Sequence, residues 1–103
     1  MTVPPRCSVI VPTRNSLSLL PTALRSVRQQ SIREIEIVVA DDGSTDGTAD
    51  WLAAQVRRWP QLRVVSTGGN GPAAARNRAI AEARAALIAF IDEETGGTFV
   101  PRP

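Results

Sequence analysis

The sequence predicts an α/β domain with a mostly parallel sheet, in the order β-α-β-α-β-α-β. Three observations support this: four short apolar runs, amphipathic segments between them, and a polar segment directly after each run. Runs this short and this apolar are typical of strands that are buried on both faces, as in parallel sheets. The alternation of strands and helices favours right-handed crossovers. The predicted strands cover residues 7–11, 35–40, 62–66 and 86–91.

Three helices are predicted between these strands. Residues at helical spacing form an apolar stripe in each of the first two, namely Leu20, Leu24 and Val27, then Leu52, Val56 and Trp59. Asn15 or Ser16 is expected to cap the first helix, and Asp46 or Thr48 the second. The third helix is expected to begin near Pro72, because proline suits the first helical position, and to continue through the alanine-rich residues 73–85.

Composition limits the chain to one small globular domain. It has 103 residues, of which 43% are hydrophobic, and a net charge of +2. All 12 basic residues are arginines, and they are scattered along the chain. Trp51 and Trp59 are explained better by packing than by base stacking. Nucleic acid is therefore not expected as a partner.

Cysteine and histidine content excludes several kinds of site. Cys7 is the single cysteine and there is no histidine, so an internal disulfide, the usual zinc sites and Ser-His or Cys-His catalysis are excluded. No apolar stretch approaches the ~20 residues that span a bilayer, and the N-terminus lacks the apolar core of a signal peptide. We expect a cytoplasmic protein.

Chemically useful residues follow every predicted strand. In a parallel sheet these strand ends meet at one edge, where α/β proteins bind their ligands. The second strand is followed by two carboxylates, Asp41 and Asp42, which are able to accept hydrogen bonds from a base or a sugar. The four segments after the strands are residues 12–15, 41–42, 68–71 and 92–94. Their convergence predicts a ligand pocket at this edge.

One alternative is a dinucleotide-binding domain. Residues 69–74 (GNGPAA) fit the pattern G-x-G-x-x-A between a strand and a helix, with Gly69 and Gly71 as the glycines. Asp92 lies at about the right distance to bind a ribose. The motif follows the third strand instead of the first, however, and it leaves Asp41 and Asp42 without a role.

Four segments in order resemble the family 2 glycosyltransferases of the GT-A fold. They are SVIVPTRN at 8–15, VVADDGSTDGT at 38–48, GPAAARN at 71–77 and IAFID at 88–92. The resemblance covers residues 6 to 94 and implies that the sheet is the Rossmann-like, nucleotide-sugar-binding half of such an enzyme. It also implies a sugar donor linked to UDP, GDP or dTDP, and leaves the sugar and the acceptor open.

The resemblance assigns expected roles to individual residues. Pro12, Thr13 and Arg14 would line the base of the nucleotide, Asp42 would accept a hydrogen bond from that base, and Asp41 would support Asp42. The Gly71–Pro72 turn and Arg76 would approach the ribose or the diphosphate. Asp92 would open the D-x-D motif of the family, which binds Mg²⁺ or Mn²⁺ through the donor diphosphate. Glu94 stands where the second aspartate of that motif is usual.

The sequence stops short of the family's acceptor-binding region. We expect residues 1–103 to form a single domain that is truncated after the D-x-D-like motif, with a loop over residues 95–103. The catalytic base of the family would lie beyond residue 103, so we assign no catalytic residue. A second class of function is a non-catalytic module that self-associates through a sheet edge or an uncovered face.

Overall fold

The computed structural model describes residues 4–29, 34–92 and 96–101, with side chains through Ile91. These residues form five strands and three helices. The strands are β1 (Cys7–Thr13), β2 (Ile35–Asp41), β3 (Leu62–Ser66), β4 (Leu87–Asp92) and β5 (Gly96–Pro101). The helices are α1 (Leu20–Arg28), α2 (Thr48–Arg58) and α3 (Pro72–Glu82).

The sheet has the strand order β3-β2-β1-β4-β5. The first four strands are parallel to one another, and each is followed or preceded by a helix, so the predicted α/β fold is confirmed. Ile10 in β1 is paired with Val38 on one side and Phe90 on the other, so β1 is an interior strand of the sheet. All four parallel strands therefore direct their carboxyl ends to one edge.

The prediction of a loop over residues 95–103 was wrong for residues 96–101, and the other residues of that range lie outside the described residues. Residues 96–101 form β5, which pairs antiparallel with β4 and aligns Thr98 with Phe90. Thr98, Phe99 and Val100 favour extended backbone, and pairing with the free edge of β4 provides their hydrogen bonds. The glycines and prolines that suggested a loop lie at or beyond the ends of this strand.

The core is divided by the sheet into two clusters of buried side chains. On one face, α1 and α2 pack against β1 and β2, with Leu24 and Leu52 buried at the centre. On the other face, Ala75 and Ala79 bring α3 close to Ile10. The small alanines explain this close approach, since no longer side chain separates the helix from the sheet.

Two details of the helices differ from the predictions. Val56 was expected to belong to the apolar stripe of α2 but is 39% exposed, whereas Trp51 packs against the core. The N-cap of α1 is Leu19, which makes no side-chain capping bond, so neither Asn15 nor Ser16 caps this helix.

The helices are short. Within the described ranges the longest have 11 residues, and none has the length and apolar character needed to span a membrane.

A buried polar network joins the strands at the edge where they begin. The Ser8 hydroxyl donates to Glu36 Oε2 at 2.6 Å, and Arg63 Nη1 donates to Glu36 Oε1 at 2.9 Å. The backbone N–H of Arg84 also donates to Glu36 Oε2, at 2.6 Å. Burial acts to raise the pKa of Glu36, but these hydrogen bonds and the Arg63 charge outweigh it and lower the pKa. The network connects β1, β2 and β3 with the segment that leads into β4.

Candidate functional site

A small pocket lies where the carboxyl ends of β1 and β2 meet the start of α3. Its volume is about 160 Å³. It is lined by Pro12, Thr13, Arg14, Asp42, Pro72 and Ala75. The structure thus brings together the predicted residues of three separate strand ends. Ala75 was not predicted, although its position one helical turn after Pro72 places it on the same face of α3.

The carboxylate of Asp42 is almost completely surrounded by the loop between β3 and α3. Asp42 Oδ1 accepts hydrogen bonds from the Thr67 hydroxyl at 2.6 Å, from Gly69 N–H at 2.9 Å and from Asn70 N–H at 3.0 Å. Asp42 Oδ2 accepts one from Gly71 N–H at 2.9 Å. Only 2% of the residue is exposed. Asp42 therefore holds the loop in place. Thr67 was not predicted, and Asn70 was predicted only as a member of the strand-end segment 68–71.

The electrostatics of this arrangement favour a charged Asp42. The Thr67 hydroxyl, together with the backbone N–H groups of Gly71, Asn70 and Gly69, lowers the pKa of Asp42 against the opposing effect of burial. A concave set of backbone N–H groups is a general binding site for anions. In this protein the anion is a side chain of the protein itself.

This geometry argues against the dinucleotide alternative. In that motif the backbone near the glycines faces the pyrophosphate of the ligand. Here the N–H groups of Gly69, Asn70 and Gly71 all donate to Asp42. They are therefore not free to bind a pyrophosphate.

Asp42 still has room for one more hydrogen bond. An ionised carboxylate offers about four lone-pair sites, two on each oxygen. Oδ1 has three donors, but Gly71 is the single donor to Oδ2 among the described residues. If a ligand donates to Asp42, Oδ2 is the oxygen that is available.

Asp41 supports the turn that follows β2. Its Oδ1 accepts a hydrogen bond from Ser44 N–H at 3.2 Å, and its carbonyl oxygen accepts one from Thr67 N–H at 3.0 Å. The residue is 4% exposed and does not line the pocket. Its contacts are those of a structural residue that supports the neighbouring turn and strand.

A set of hydrogen bonds also connects the loops after β1 and β2. Asn15 N–H donates to Ser44 Oγ at 2.9 Å, and Thr45 N–H donates to Asn15 Oδ1 at 2.7 Å. Asp46 Oδ2 accepts from Leu17 N–H at 3.1 Å. Asn15 adopts a positive φ of 50°, which asparagine tolerates better than most residues. Asn15 was expected as a helix cap and as the last residue of the strand-end segment 12–15, but it does not line the pocket and instead joins the two loops.

Asp46 also acts at the start of α2. Its Oδ1 accepts hydrogen bonds from the N–H and the hydroxyl of Thr48, which lower the pKa of Asp46 together with the N–H of Leu17. The formal N-cap is Gly47, in the left-handed conformation at φ 93°. The expectation that Asp46 or Thr48 is the cap of this helix was therefore wrong, although Asp46 still accepts a hydrogen bond from the first N–H of the helix.

Thr13 carries an unusual hydroxyl group. It is 4% exposed, and its Oγ1 has no hydrogen-bond partner among the residues that the structure describes. Leaving a buried hydroxyl without a partner costs about 1–3 kcal/mol. Because Thr13 lines the pocket, a ligand there is able to supply the missing partner.

The remaining predicted residues are Arg76, Asp92 and Glu94. Arg76 is exposed on α3 and does not line the pocket. Asp92 ends β4, and the register that pairs Ile10 with Phe90 places its backbone level with Pro12. Glu94 lies outside the described residues. Among the side chains that the structure describes, no group of three or more acidic or cysteine residues is placed to hold a metal ion.

Comparison with curated proteins places similar sequences in one family. The family model described as Glycosyl transferase family 2 matches residues 8–93. Over 90 residues the chain is 36% identical to the uncharacterized glycosyltransferase YfnE of Bacillus subtilis (strain 168), covering 86% of this chain and 23% of that protein. Over 89 residues it is 30% identical to the uncharacterized glycosyltransferase YibD of Escherichia coli (strain K12), covering 86% of this chain and 26% of that protein.

Solved structures with the same fold include a mannosyltransferase and the protein TarS. The mannosyltransferase PcManGT from Pyrobaculum calidifontis, in complex with GDP-Man and Mn²⁺, superposes with a TM-score of 0.80 at 32% identity. The match covers 90% of this chain and 28% of that one. TarS of S. aureus (residues 1–349) superposes with a TM-score of 0.76 at 35% identity, covering 86% of this chain and 27% of that one. The chain thus spans about a quarter of these proteins, and it belongs to glycosyl transferase family 2.

Proposed function

We propose that this chain is the donor-binding portion of a glycosyltransferase, and that it binds a nucleoside diphosphate sugar at the carboxyl ends of β1 and β2. The observation that carries the proposal concerns Thr13, a residue that lines the pocket and whose buried hydroxyl has no partner in the described part of the chain. The PcManGT structure, which contains GDP-Man, supports the choice of ligand class.

The size of the pocket suits the base of the nucleotide. Its 160 Å³ is below the ~300 Å³ at which pockets for drug-sized ligands begin, so it accepts one ring system rather than a whole nucleotide. Pro12 and Pro72 provide apolar walls for a planar ring. Thr13 Oγ1 and Asp42 Oδ2 provide polar contacts for its edge.

In this proposal, two exposed arginines would bind the phosphates. Arg14 lines the pocket and is exposed, and Arg76 is exposed on α3. Neither has an ion-pair partner within the described ranges. Arginine binds phosphate oxygens through two parallel N–H groups, so both side chains are suited to the diphosphate.

Asp92 and Glu94 would hold a divalent cation, Mg²⁺ or Mn²⁺, beside the diphosphate. Carboxylate oxygens are the donors that these hard cations prefer, and the backbone of Asp92 lies at the same sheet edge as Pro12. The cation would supply positive charge that neutralises the departing diphosphate, without proton transfer to the leaving group. The acceptor and the catalytic base are left open by this proposal.

Ligand-induced thermal stabilisation tests the proposal. We expect UDP, GDP or dTDP to raise the melting temperature (Tm) of the chain, and to raise it further with Mn²⁺. Thr13→Val should reduce the shift with and without metal, whereas Asp92→Ala should remove only the part that depends on Mn²⁺. Thr22→Val, an exposed threonine on α1, is the matched control for Thr13.

Different outcomes test the nucleotide-binding site and the metal-binding residues separately. If no nucleoside diphosphate raises the Tm, or if NAD raises it more than all three, donor binding is contradicted. If a nucleotide binds equally well to the Asp92→Ala variant with Mn²⁺ present, the metal assignment alone is wrong.

A further inference from the structure

A groove of about 250 Å³ runs between α1 and α2 on the outer side of the domain. It shares no lining residue with the strand-end pocket. From α1 the groove is lined mainly by Leu24, Arg25 and Arg28. From α2 it is lined by Trp51 and Gln55, and Trp59, the residue directly after α2, completes the lining. Nothing in the proposed donor site uses these residues.

The charge of the groove is entirely positive. Arg25 and Arg28 are both exposed, and no acidic residue lines the groove. Neither arginine forms an ion pair with any residue that the structure describes. The nearest carboxylate on α2, Asp50, precedes Trp51 in the helix but is not part of the lining. The groove is therefore complementary to a negatively charged occupant.

An aromatic ring contacts one of these arginines, Arg28. The Arg28 guanidinium carbon lies 4.9 Å from the centre of the Trp59 ring, which is a cation–π contact. Stacking occupies the face of a guanidinium and leaves its edge N–H groups free to bind a carboxylate through two bonds. Trp51 and Trp59 are only half-buried, so both also present apolar surface to the groove.

The shape of the groove favours an extended peptide. Pro21 and Arg28 lie at its two ends on α1, about 10 Å apart at 1.5 Å per helical residue. An extended chain rises ~3.3 Å per residue, so about three residues fit along this length. Because the surface is concave, it suits a peptide better than it suits a flat membrane surface.

We propose that this groove binds a short acidic peptide segment of a partner protein. An apolar side chain of that segment packs between Trp51 and Trp59, and a flanking carboxylate pairs with Arg28, with Arg25 binding a second. Tryptophan and arginine are the residues most enriched among those that dominate the affinity of protein interfaces. Gln55, between the two tryptophans, offers its amide to the peptide backbone.

The tryptophan fluorescence of the chain provides a direct test. Trp51 and Trp59 are its only two tryptophans, so any change in emission reports on the groove. The probe is the peptide acetyl-Asp-Glu-Leu-Glu-Asp-amide, and the control is acetyl-Asn-Gln-Leu-Gln-Asn-amide. We expect a saturable change in emission with the acidic peptide and little change with the neutral one.

A matched pair of variants identifies the residues responsible. Arg25→Gln/Arg28→Gln should weaken binding of the acidic peptide by about tenfold or more, because two charge-assisted contacts are lost. Arg57→Gln/Arg58→Gln removes the same charge from the last turn of α2, outside the groove, and should leave the affinity within about twofold. Circular dichroism and the Tm establish that both variants are folded.

Several results would overturn the proposal. They are a flat titration with the acidic peptide, equal binding of the neutral peptide, or equal weakening by the two double variants. A larger emission change with phosphatidylglycerol vesicles than with the peptide assigns the groove to membranes. Concentration-dependent light scattering that Arg28→Gln abolishes assigns it to a second copy of the chain. None of these results bears on nucleotide binding at the strand ends.

Discussion

Asp42 Oδ2 and the backbone nitrogen of Gly71 lie 2.9 Å apart, and this hydrogen bond joins the end of β2 to the start of α3. Together with the three bonds to Asp42 Oδ1, it fixes the loop between β3 and α3, which leads directly into Pro72 at the pocket. The same carboxylate thus shapes the pocket and offers one remaining lone pair to a ligand. A binding role and a structural role for Asp42 are compatible.

Asp42→Asn should destabilise the chain strongly. The variant keeps the shape of the side chain but replaces one acceptor oxygen by an NH₂ group, which faces N–H donors. We expect the Tm to fall by on the order of 10 °C, because hydrogen bonds to a charged group are lost and buried N–H groups are left without partners. Asp50→Asn, in the exposed first turn of α2, is the control and should cost only a few degrees. Equal effects of the two substitutions would contradict the anchoring role.

Gly71→Ala should destabilise the same loop for a different reason. Gly71 has φ 100° and ψ 163°, a conformation that is almost restricted to glycine. A Cβ at this position meets no atom within 4 Å, so the cost is backbone strain of about 1–3 kcal/mol rather than a clash. Gly68→Ala is the matched control, because Gly68 lies in the same loop without a positive φ. Urea denaturation should separate the two variants, and a Gly71→Ala variant as stable as Gly68→Ala would show that the strain is absent.

The four parallel strands, the helices between them and most of the pocket could be predicted from the sequence, because apolar runs and strand-end polar residues are local signals. The order of the strands in the sheet was not predicted. Thr13 and Pro72 illustrate this, since each directly ends or begins an element. The contacts of Asp42 could not be predicted, because its partners lie 25 to 29 residues away and three of them are backbone N–H groups that leave no trace in residue type. β5 was missed for a similar reason: its stability comes from pairing with β4 rather than from its own composition.

Glu36→Gln should reveal the strength of the buried polar network. The Glu36 side chain is 7% exposed and binds Ser8, Arg63 and the N–H of Arg84. Neutralising it leaves Arg63 without its buried partner, and we expect a loss of about 2–3 kcal/mol in the free energy of unfolding. Glu34→Gln removes an exposed ion pair with Arg6, whose side chain is 77% exposed, and should cost less than about 1 kcal/mol. A smaller loss for Glu36→Gln than for Glu34→Gln would contradict this ranking.

Stability should depend on pH in acid. The pKa values of Asp42, Asp46 and Glu36 are all lowered in the folded chain, from ordinary values of 3.8 for the aspartates and 4.5 for the glutamate. A lowered pKa means that the stabilisation is fully present above the unfolded value and is lost as the pH falls through the folded value. We therefore expect the urea midpoint to decrease as the pH falls below about 4.5. The decrease should be shallower in the Glu36→Gln variant. If the urea midpoint of that variant falls with pH in the same way as that of the wild-type chain, Glu36 does not contribute.

Alkaline pH should lower the stability of the fold through ionisation of Cys7. Burial raises the pKa of its thiol above the ordinary value of 9.0, against a smaller opposing effect of a hydrogen bond with the Ala89 backbone. The stabilisation is present below that ordinary value and is lost as the pH rises through the folded pKa, because the unfolded chain releases its proton first. The urea midpoint should decline above about pH 9 in the wild-type chain and stay flatter in Cys7→Ala. Equal declines would assign the alkaline loss to other groups.

Thr13→Val and Thr48→Val should have opposite effects on stability. Both threonines are buried, but the Thr48 hydroxyl donates to Asp46 Oδ1 whereas Thr13 Oγ1 lacks a partner in the described part of the chain. Removing the unpaired hydroxyl of Thr13 should raise the free energy of unfolding by about 1 kcal/mol, and removing the paired one should lower it by about as much. Urea denaturation of the ligand-free chain measures both. A Thr13→Val variant that is more stable, but whose Tm rises less when a nucleoside diphosphate is added, would show that the hydroxyl serves binding. A Thr13→Val variant that is less stable would show that the hydroxyl already has a partner in the free protein.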